Sequence, residues 1–78
     1  MAINRQIILN SFGVKLREQR ELLGFSQEQF AEISGFDRTY ISMLETGKRN
    51  PSLINLVKLS SALKISLNDL LKGIVHSD

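Results

Sequence analysis

The stretch Ser26-Gln-Glu-Gln-Phe-Ala-Glu-Ile-Ser-Gly35-Phe-Asp37-Arg-Thr-Tyr-Ile-Ser-Met-Leu-Glu-Thr-Gly47 reads as two short helices separated by three residues. Ser26 with Gln29 three residues later is a capping-box signature, in which each side chain satisfies an N–H group left without a partner at a helix start. Gly35 ends that helix, because glycine enters the left-handed conformation of a helix stop at little steric cost. Asp37 is the expected N-cap of the next helix, which runs to about Thr46 and stops at Gly47. A three-residue connection containing glycine makes two helices meet steeply, as in a helix-turn-helix; the alternative is a generic helical hairpin. Ala31, four residues before Gly35, is small enough to let the following helix cross closely.

Outward from this stretch the same punctuation recurs. Ile7 to Leu23 reads as a first helix stopped at Gly24. Ser52, after Pro51, caps a helix from Leu53 to Leu63, and Ser66 with Asp69 makes a second capping box before Leu67 to Lys72, closed by Gly73. There is one proline, no sustained β-type alternation and no repeat. The expectation is an all-α fold of five short helices with loops of about two to six residues. It forms one domain over residues 1–78, with an N-terminal extension at 1–10 and a last helix and tail from about 66 to 78.

Composition narrows the function. Seventy-eight residues, 42% hydrophobic and 23% charged, suit one modest core rather than a disordered chain. With no cysteine there is no disulfide framework and no thiolate metal site, so a chain this small leans on helix packing and on a partner subunit. The lone His76, near Asp78, reads as a solvated tail residue rather than a ligand or a base. No apolar run is long enough to cross a bilayer and none resembles a signal peptide, so the expected location is the cytoplasm. No nucleophile–histidine–carboxylate set, phosphate-binding glycine loop or metal cluster is legible; neither catalysis, a metal, a cofactor nor a small-molecule ligand is expected. The net charge of +2 permits nucleic-acid binding, and the placement of the charges has to decide.

The third helix carries that placement. At ~100° per residue, Ile41, Leu44, Asp37 and Glu45 fall on the core side. Phe12, Leu16 and Leu23 make an apolar stripe on the first helix, and Arg20 falls within it. A charge on each facing stripe predicts an Arg20–Glu45 ion pair, against the alternative that both side chains snorkel separately to water. The outer side holds Thr39, Met43 and Thr46, with Ser42 and Tyr40 flanking and Arg38 at the helix start. A merely solvated face would carry Glu, Lys and Gln. This one is short, hydroxylated and nearly uncharged, with an exposed methionine. Hydroxyls bond donors or acceptors, methionine can meet a thymine methyl, and arginine can bridge guanine O6 and N7; together they suit the major groove. Lys48, Arg49 and Asn50 after the helix, Ser26 and Gln27 at the start of the preceding one, and Arg17 are candidate phosphate contacts. For Lys48 and Arg49 the competing reading is compensation of the helix dipole.

The run Leu16-Arg17, Arg20, Gly24-Phe25-Ser26-Gln27, Phe30-Ala31, Gly35, Ile41-Ser42, Leu44-Glu45, Gly47, Arg49, Pro51-Ser52, Leu56, Leu63 resembles the lambda-repressor-like, or Xre-type, helix-turn-helix family over residues 12 to 72. The resemblance implies a five-helix, homodimeric regulator of transcription on double-stranded DNA. It implies a turn at Gly35 to Asp37 and a recognition helix from Arg38 to Thr46. Base-reading positions fall on Arg38, Thr39, Ser42 and Met43, phosphate contacts on Gln27, Thr46 and Lys48 with Ser26 and Asn50, and a buried pair on Arg20 and Glu45. Asp37-Arg-Thr-Tyr-Ile-Ser and the later Arg49-Asn50 look, more narrowly, like the controller proteins of restriction–modification systems. There the Arg and Thr of this segment help read the operator and the adjacent tyrosine, here Tyr40, contacts DNA. The implied task is timing, by activating and then repressing the dimer's own gene and an endonuclease gene, with RNA polymerase a further partner. Met43 and Arg38 depart from residues common in relatives, which leaves the operator sequence open.

One recognition helix reads only a few base pairs, so specificity requires two copies on a pseudo-palindrome. Leu67, Leu70, Leu71, Ile74 and Val75 hold more apolar side chains than a terminal helix needs. They read as shared between the core and a two-fold interface, unless all pack within one chain. The N-terminal Ile3, Ile7 and Ile8 are the alternative interface, or else simply lengthen the first helix. Two other functions compete: an autoregulatory phage-type repressor or antitoxin of the same fold, and a protein-interaction module without DNA binding.

Overall fold

The computed structural model describes residues 3–74, and the expectations for Val75, His76 and Asp78 lie outside the described residues. The chain forms α1 (Arg5–Leu22), α2 (Gln27–Ser34), α3 (Arg38–Glu45), α4 (Leu53–Leu63) and α5 (Leu67–Leu71), with no strand among the described residues. The fold is all-α, as expected.

Caps account for most of the boundaries. The Ser26 hydroxyl accepts from the Gln29 N–H (3.1 Å) while Gln29 Oε1 accepts from the Ser26 N–H (2.8 Å), a complete capping box. Ser52 accepts from the Asn55 N–H and Ser66 from the Asp69 N–H. Gly35 ends α2 at φ 78°, where a Cβ would be strained.

Several expectations need correction. Helix α1 begins at Arg5, not Ile7, because Asn4 Oδ1 accepts from the Ile7 N–H and nucleates the helix earlier. At 18 residues it is not short. The segment 46–52 between α3 and α4 is longer than expected, since the left-handed Gly47 and then Pro51 keep it out of helix. Leu23 is exposed rather than part of the core stripe; it lies past the last helical residue of α1, as its C-cap. Asp37 is exposed and makes no side-chain cap bond; its backbone is extended, so a helical wheel drawn from Ile41 does not reach it.

The core joins Phe12 and Leu16 of α1 with Phe30 and Ala31 of α2, Ile41 and Leu44 of α3, Leu59 and Leu63 of α4, and Leu70 of α5. Helix α1 packs on α3 and α5, α2 on α3 and α4, and α4 on α5. Leu70 is fully buried among these residues, which corrects its assignment to a surface shared with a second subunit. Ala31 is buried under the turn, and its carbonyl accepts from the Phe36 N–H (2.9 Å), tying the turn to α2.

Candidate nucleic-acid interface

Helix α3 is held from behind by a charged cluster. Arg20 Nε donates to Glu45 Oε2 (2.7 Å), Arg20 Nη2 to Glu45 Oε1 (3.0 Å), and Arg20 Nη1 to the Phe25 carbonyl (2.7 Å). The two side chains are 9% and 3% exposed, so this is a buried bidentate pair rather than two snorkelling charges. Hydrogen bonding to Glu45 raises the pKa of the Arg20 guanidinium, opposed by desolvation. Gln27 Nε2 also donates to Glu45 Oε1 (3.1 Å), linking the first residue of α2 to the last of α3.

A second contact fixes how deep α3 sits. Gly13 of α1 is buried, and a methyl group there would stand 2.5 Å from the Glu45 carbonyl oxygen and 2.7 Å from that of Leu44. The missing side chain lets the two backbones touch. Two turns earlier on α1, Gln6 Nε2 donates to the Gly47 carbonyl (2.9 Å) and to Asn10 Oδ1 (2.8 Å). The start of α1 therefore clamps the end of α3.

With its back fixed, α3 turns Arg38, Thr39 and Thr46 to solvent and leaves Ser42 and Met43 half-buried, opposite the buried Ile41 and Leu44. Met43 is thus less exposed than expected, because Arg49 folds back over it: Arg49 Nη1 lies 3.9 Å from Met43 Sδ. The Arg49 guanidinium also stands 5.4 Å from the Tyr40 ring centroid, a cation–π arrangement. Tyr40 is positioned on its other sides by the Phe36 ring (centroids 5.0 Å apart) and by Asn55 Nδ2, which donates to its hydroxyl (3.0 Å). Because the Tyr40 hydroxyl accepts from Asn55, its own proton remains available to donate.

The structure gathers Ser26, Gln27, Arg38, Thr39, Tyr40, Ser42, Met43, Thr46 and Arg49 around one helix, with Lys48 and Asn50 exposed just beyond it. Several have prior engagements. Thr46 Oγ1 donates to the Ser42 carbonyl (2.8 Å) and keeps acceptor capacity only. Gln27 has committed one amide proton to Glu45. Arg17 is paired with Glu21 on its own helix (3.3 Å), and both are exposed. Arg38 Nε lies 3.6 Å from Glu28 Oε1. Sequence reasoning missed Glu28, Gln6, Asn10, Gly13 and Asn55. Of these only Gly13, a glycine inside a helical pattern, carried a local signal of close backbone approach.

The surfaces weighed for dimerisation prove to be neighbours. Ile8 and Leu9 from the N-terminal side and Leu71 and Ile74 from the C-terminal side line one apolar cleft, with Pro51 and Leu56 between them. Helix α4 adds exposed Leu53, Ile54 and Val57, which the sequence pattern did not single out. No helix among the described residues is long and apolar enough to cross a membrane, and no cluster of metal-ligating side chains occurs among them.

With this geometry in hand, comparison with known proteins is informative. Residues 16–70 match the helix-turn-helix family HTH_3. The chain is 50% identical to control protein C.MunI of Mycoplasma sp over 64 residues, covering 81% of this chain and 86% of that one. Against control protein C.SmaI of Serratia marcescens it is 46% identical over 56 residues, covering 72% and 67%. Among solved structures, the restriction-modification controller protein C.AhdI from Aeromonas hydrophila superposes with a TM-score of 0.77 at 48% identity, covering 80% of this chain and 94% of that one. SinR, a master regulator for biofilm formation solved in complex with DNA, gives 0.74 at 32% identity, covering 78% and 98%.

Proposed function

We propose, on the premise that this chain belongs to the helix-turn-helix family of Xre-type DNA-binding transcription regulators, that it is a controller protein binding a pseudo-palindromic operator as a homodimer. The observation that carries the reading is the outer face of α3: Arg38, Thr39, Ser42 and Met43 present a nearly uncharged, hydrogen-bonding surface on a helix clamped by Arg20, Gly13 and Gln6. A helix held this rigidly can enter the major groove without a large ordering cost. Lys48, Arg49, Asn50, Ser26, Gln27 and Thr46 surround it as phosphate ligands, and Tyr40 offers its hydroxyl proton to the same backbone. The names of C.MunI, C.SmaI and C.AhdI support the narrower role, the timing of restriction and modification genes through RNA polymerase in a bacterial cytoplasm.

Selection of bound duplexes from random DNA tests this directly. The expected product is two inverted half-sites about one helical turn (~34 Å) apart, with affinity falling steeply as salt rises. No enriched duplex and a flat salt response would instead favour the interaction-module reading. On the selected operator, Arg38→Ala is expected to cost about 1–3 kcal/mol and to relax specificity at one base pair, while Lys48→Ala weakens operator and random duplex alike. A Lys48 loss confined to the operator would reject its phosphate role.

The homodimer is proposed to form over the apolar cleft, with Leu67, Leu71 and Ile74 contributing from the C-terminal side. Leu71, 38% exposed at its edge, is the residue to change. Leu71→Arg is expected to sediment as a monomer, and an unchanged dimer would move the interface to Ile3 and Ile7 or to α4.

A further inference from the structure

Arg38 has an acidic neighbour on α2. Its Nε lies 3.6 Å from Glu28 Oε1, across the turn from the first turn of α2. Both side chains are well exposed, 63% and 76%, so the contact adds little to folding stability. Its chemical consequence is different. A guanidinium carries five N–H donors in a rigid plane, and guanine is read by a parallel pair of them on O6 and N7. A carboxylate on the Nε edge leaves the terminal amino groups available as that pair. Among the described residues no acceptor from this chain engages Nη1 or Nη2 of Arg38.

We propose that Glu28 is a specificity-determining positioning residue, which holds Arg38 by its Nε edge so that the Nη1–Nη2 fork faces a guanine instead of a phosphate. The inference rests on the reading of Arg38 as a base reader. Two effects follow from the one carboxylate. It fixes a long side chain before DNA arrives, so less rotamer freedom is lost on binding. It also stands beside the fork as a negative charge that phosphate oxygens must approach, which disfavours the backbone contact Arg38 would otherwise make on any sequence. Glu28 thereby trades affinity for random DNA against discrimination at one base pair.

The test is a double-mutant cycle of Glu28→Gln and Arg38→Ala. Affinity is measured for the selected operator, for the operator with the Arg38-dependent guanine replaced, and for a random duplex. Glutamine keeps the length and helix preference of Glu28 while removing its charge, and a thermal melt checks that the fold is retained. Glu28→Gln is expected to tighten random duplex severalfold and to lower discrimination at that guanine about tenfold, which corresponds to about 1.4 kcal/mol. In the Arg38→Ala background the same change should leave discrimination unaltered. If Glu28→Gln strengthens all three duplexes equally, or acts the same with and without Arg38, the positioning role is wrong. If Arg38→Ala alone leaves discrimination intact, the base-reading assignment fails instead. The two failures are therefore distinct.

Discussion

Glu45→Ala is expected to destabilise the fold by about 3–5 kcal/mol, because removing one partner of a buried ion pair strands the other charge. Arg20 would keep only the Phe25 carbonyl as an acceptor, and the Gln27 amide would lose its acceptor as well. Small domains have total stabilities of about 5–15 kcal/mol, so this one substitution removes a large share. Urea unfolding measures it; a loss below about 1 kcal/mol would mean that Arg20 escapes to water on its own. Replacing both residues, as Arg20→Met with Glu45→Leu, is expected to be less destabilising than the single change, since no charge is then left unpaired. The pH dependence has a definite sign. The Arg20 pKa is raised in the folded state, first by its hydrogen bond to Glu45. A raised pKa makes the bound proton stabilising at every pH below arginine's ordinary value, and this contribution is lost only in strong alkali.

The second large effect is expected at Gly13, where two opposing terms can be weighed. Glycine to alanine within a helix ordinarily stabilises by about 1 kcal/mol through lower unfolded-state entropy and better propensity. Here the new methyl would stand 2.5 and 2.7 Å from two backbone oxygens of α3, which no side-chain rotation relieves. Overpacking of this kind costs about 1–3 kcal/mol and occasionally more. Because the obstacle is backbone, the unfavourable term wins, and Gly13→Ala is expected to unfold at lower urea by about 2 kcal/mol. It should also weaken operator binding beyond the loss of folded protein, since relieving the contact separates α1 from the C-terminal end of α3 and so alters how α3 is held. A Gly13→Ala protein as stable as the wild type would overturn this account of the crossing.

Where side chains close their own local circuits, the sequence was mostly enough, the Asn4 cap of α1 being the exception. Ser26 with Gln29, Ser52, and the left-handed Gly35 state helix ends within a few residues of themselves, and Leu53–Leu63 has the expected limits. Arg20 and Glu45 were also legible at a distance, because a charge in an apolar stripe requires an answer elsewhere. What failed was extrapolation beyond a helix or across an interface. Asp37 was assigned a side by a helical wheel that does not extend into its extended backbone. Leu23 and Leu70 share the same apolar chemistry, yet one is exposed to solvent and the other is sealed by neighbours that only the tertiary arrangement supplies. Glu28 carried no signal in the sequence, because its proximity to Arg38 arises from how α2 and α3 meet at the turn. The clamp from Gln6 to Gly47 uses a neutral amide and a backbone carbonyl, which leave no pattern at all.

The clamp and the ion pair also bear on the order in which the chain assembles. Helices α2 and α3 are neighbours in sequence and in space, so their contact closes only a three-residue loop. By contrast, Gln6 meets Gly47 across 41 positions, and Arg20 meets Glu45 across 25. As the chain is synthesised, α1 emerges before α3, with Arg20 unanswered until α3 has followed. Closing these longer loops carries the larger entropic cost. Docking α1 onto α3 therefore carries a larger closure cost than the α2–α3 contact, and it locks α3 and the loop beyond it into one orientation.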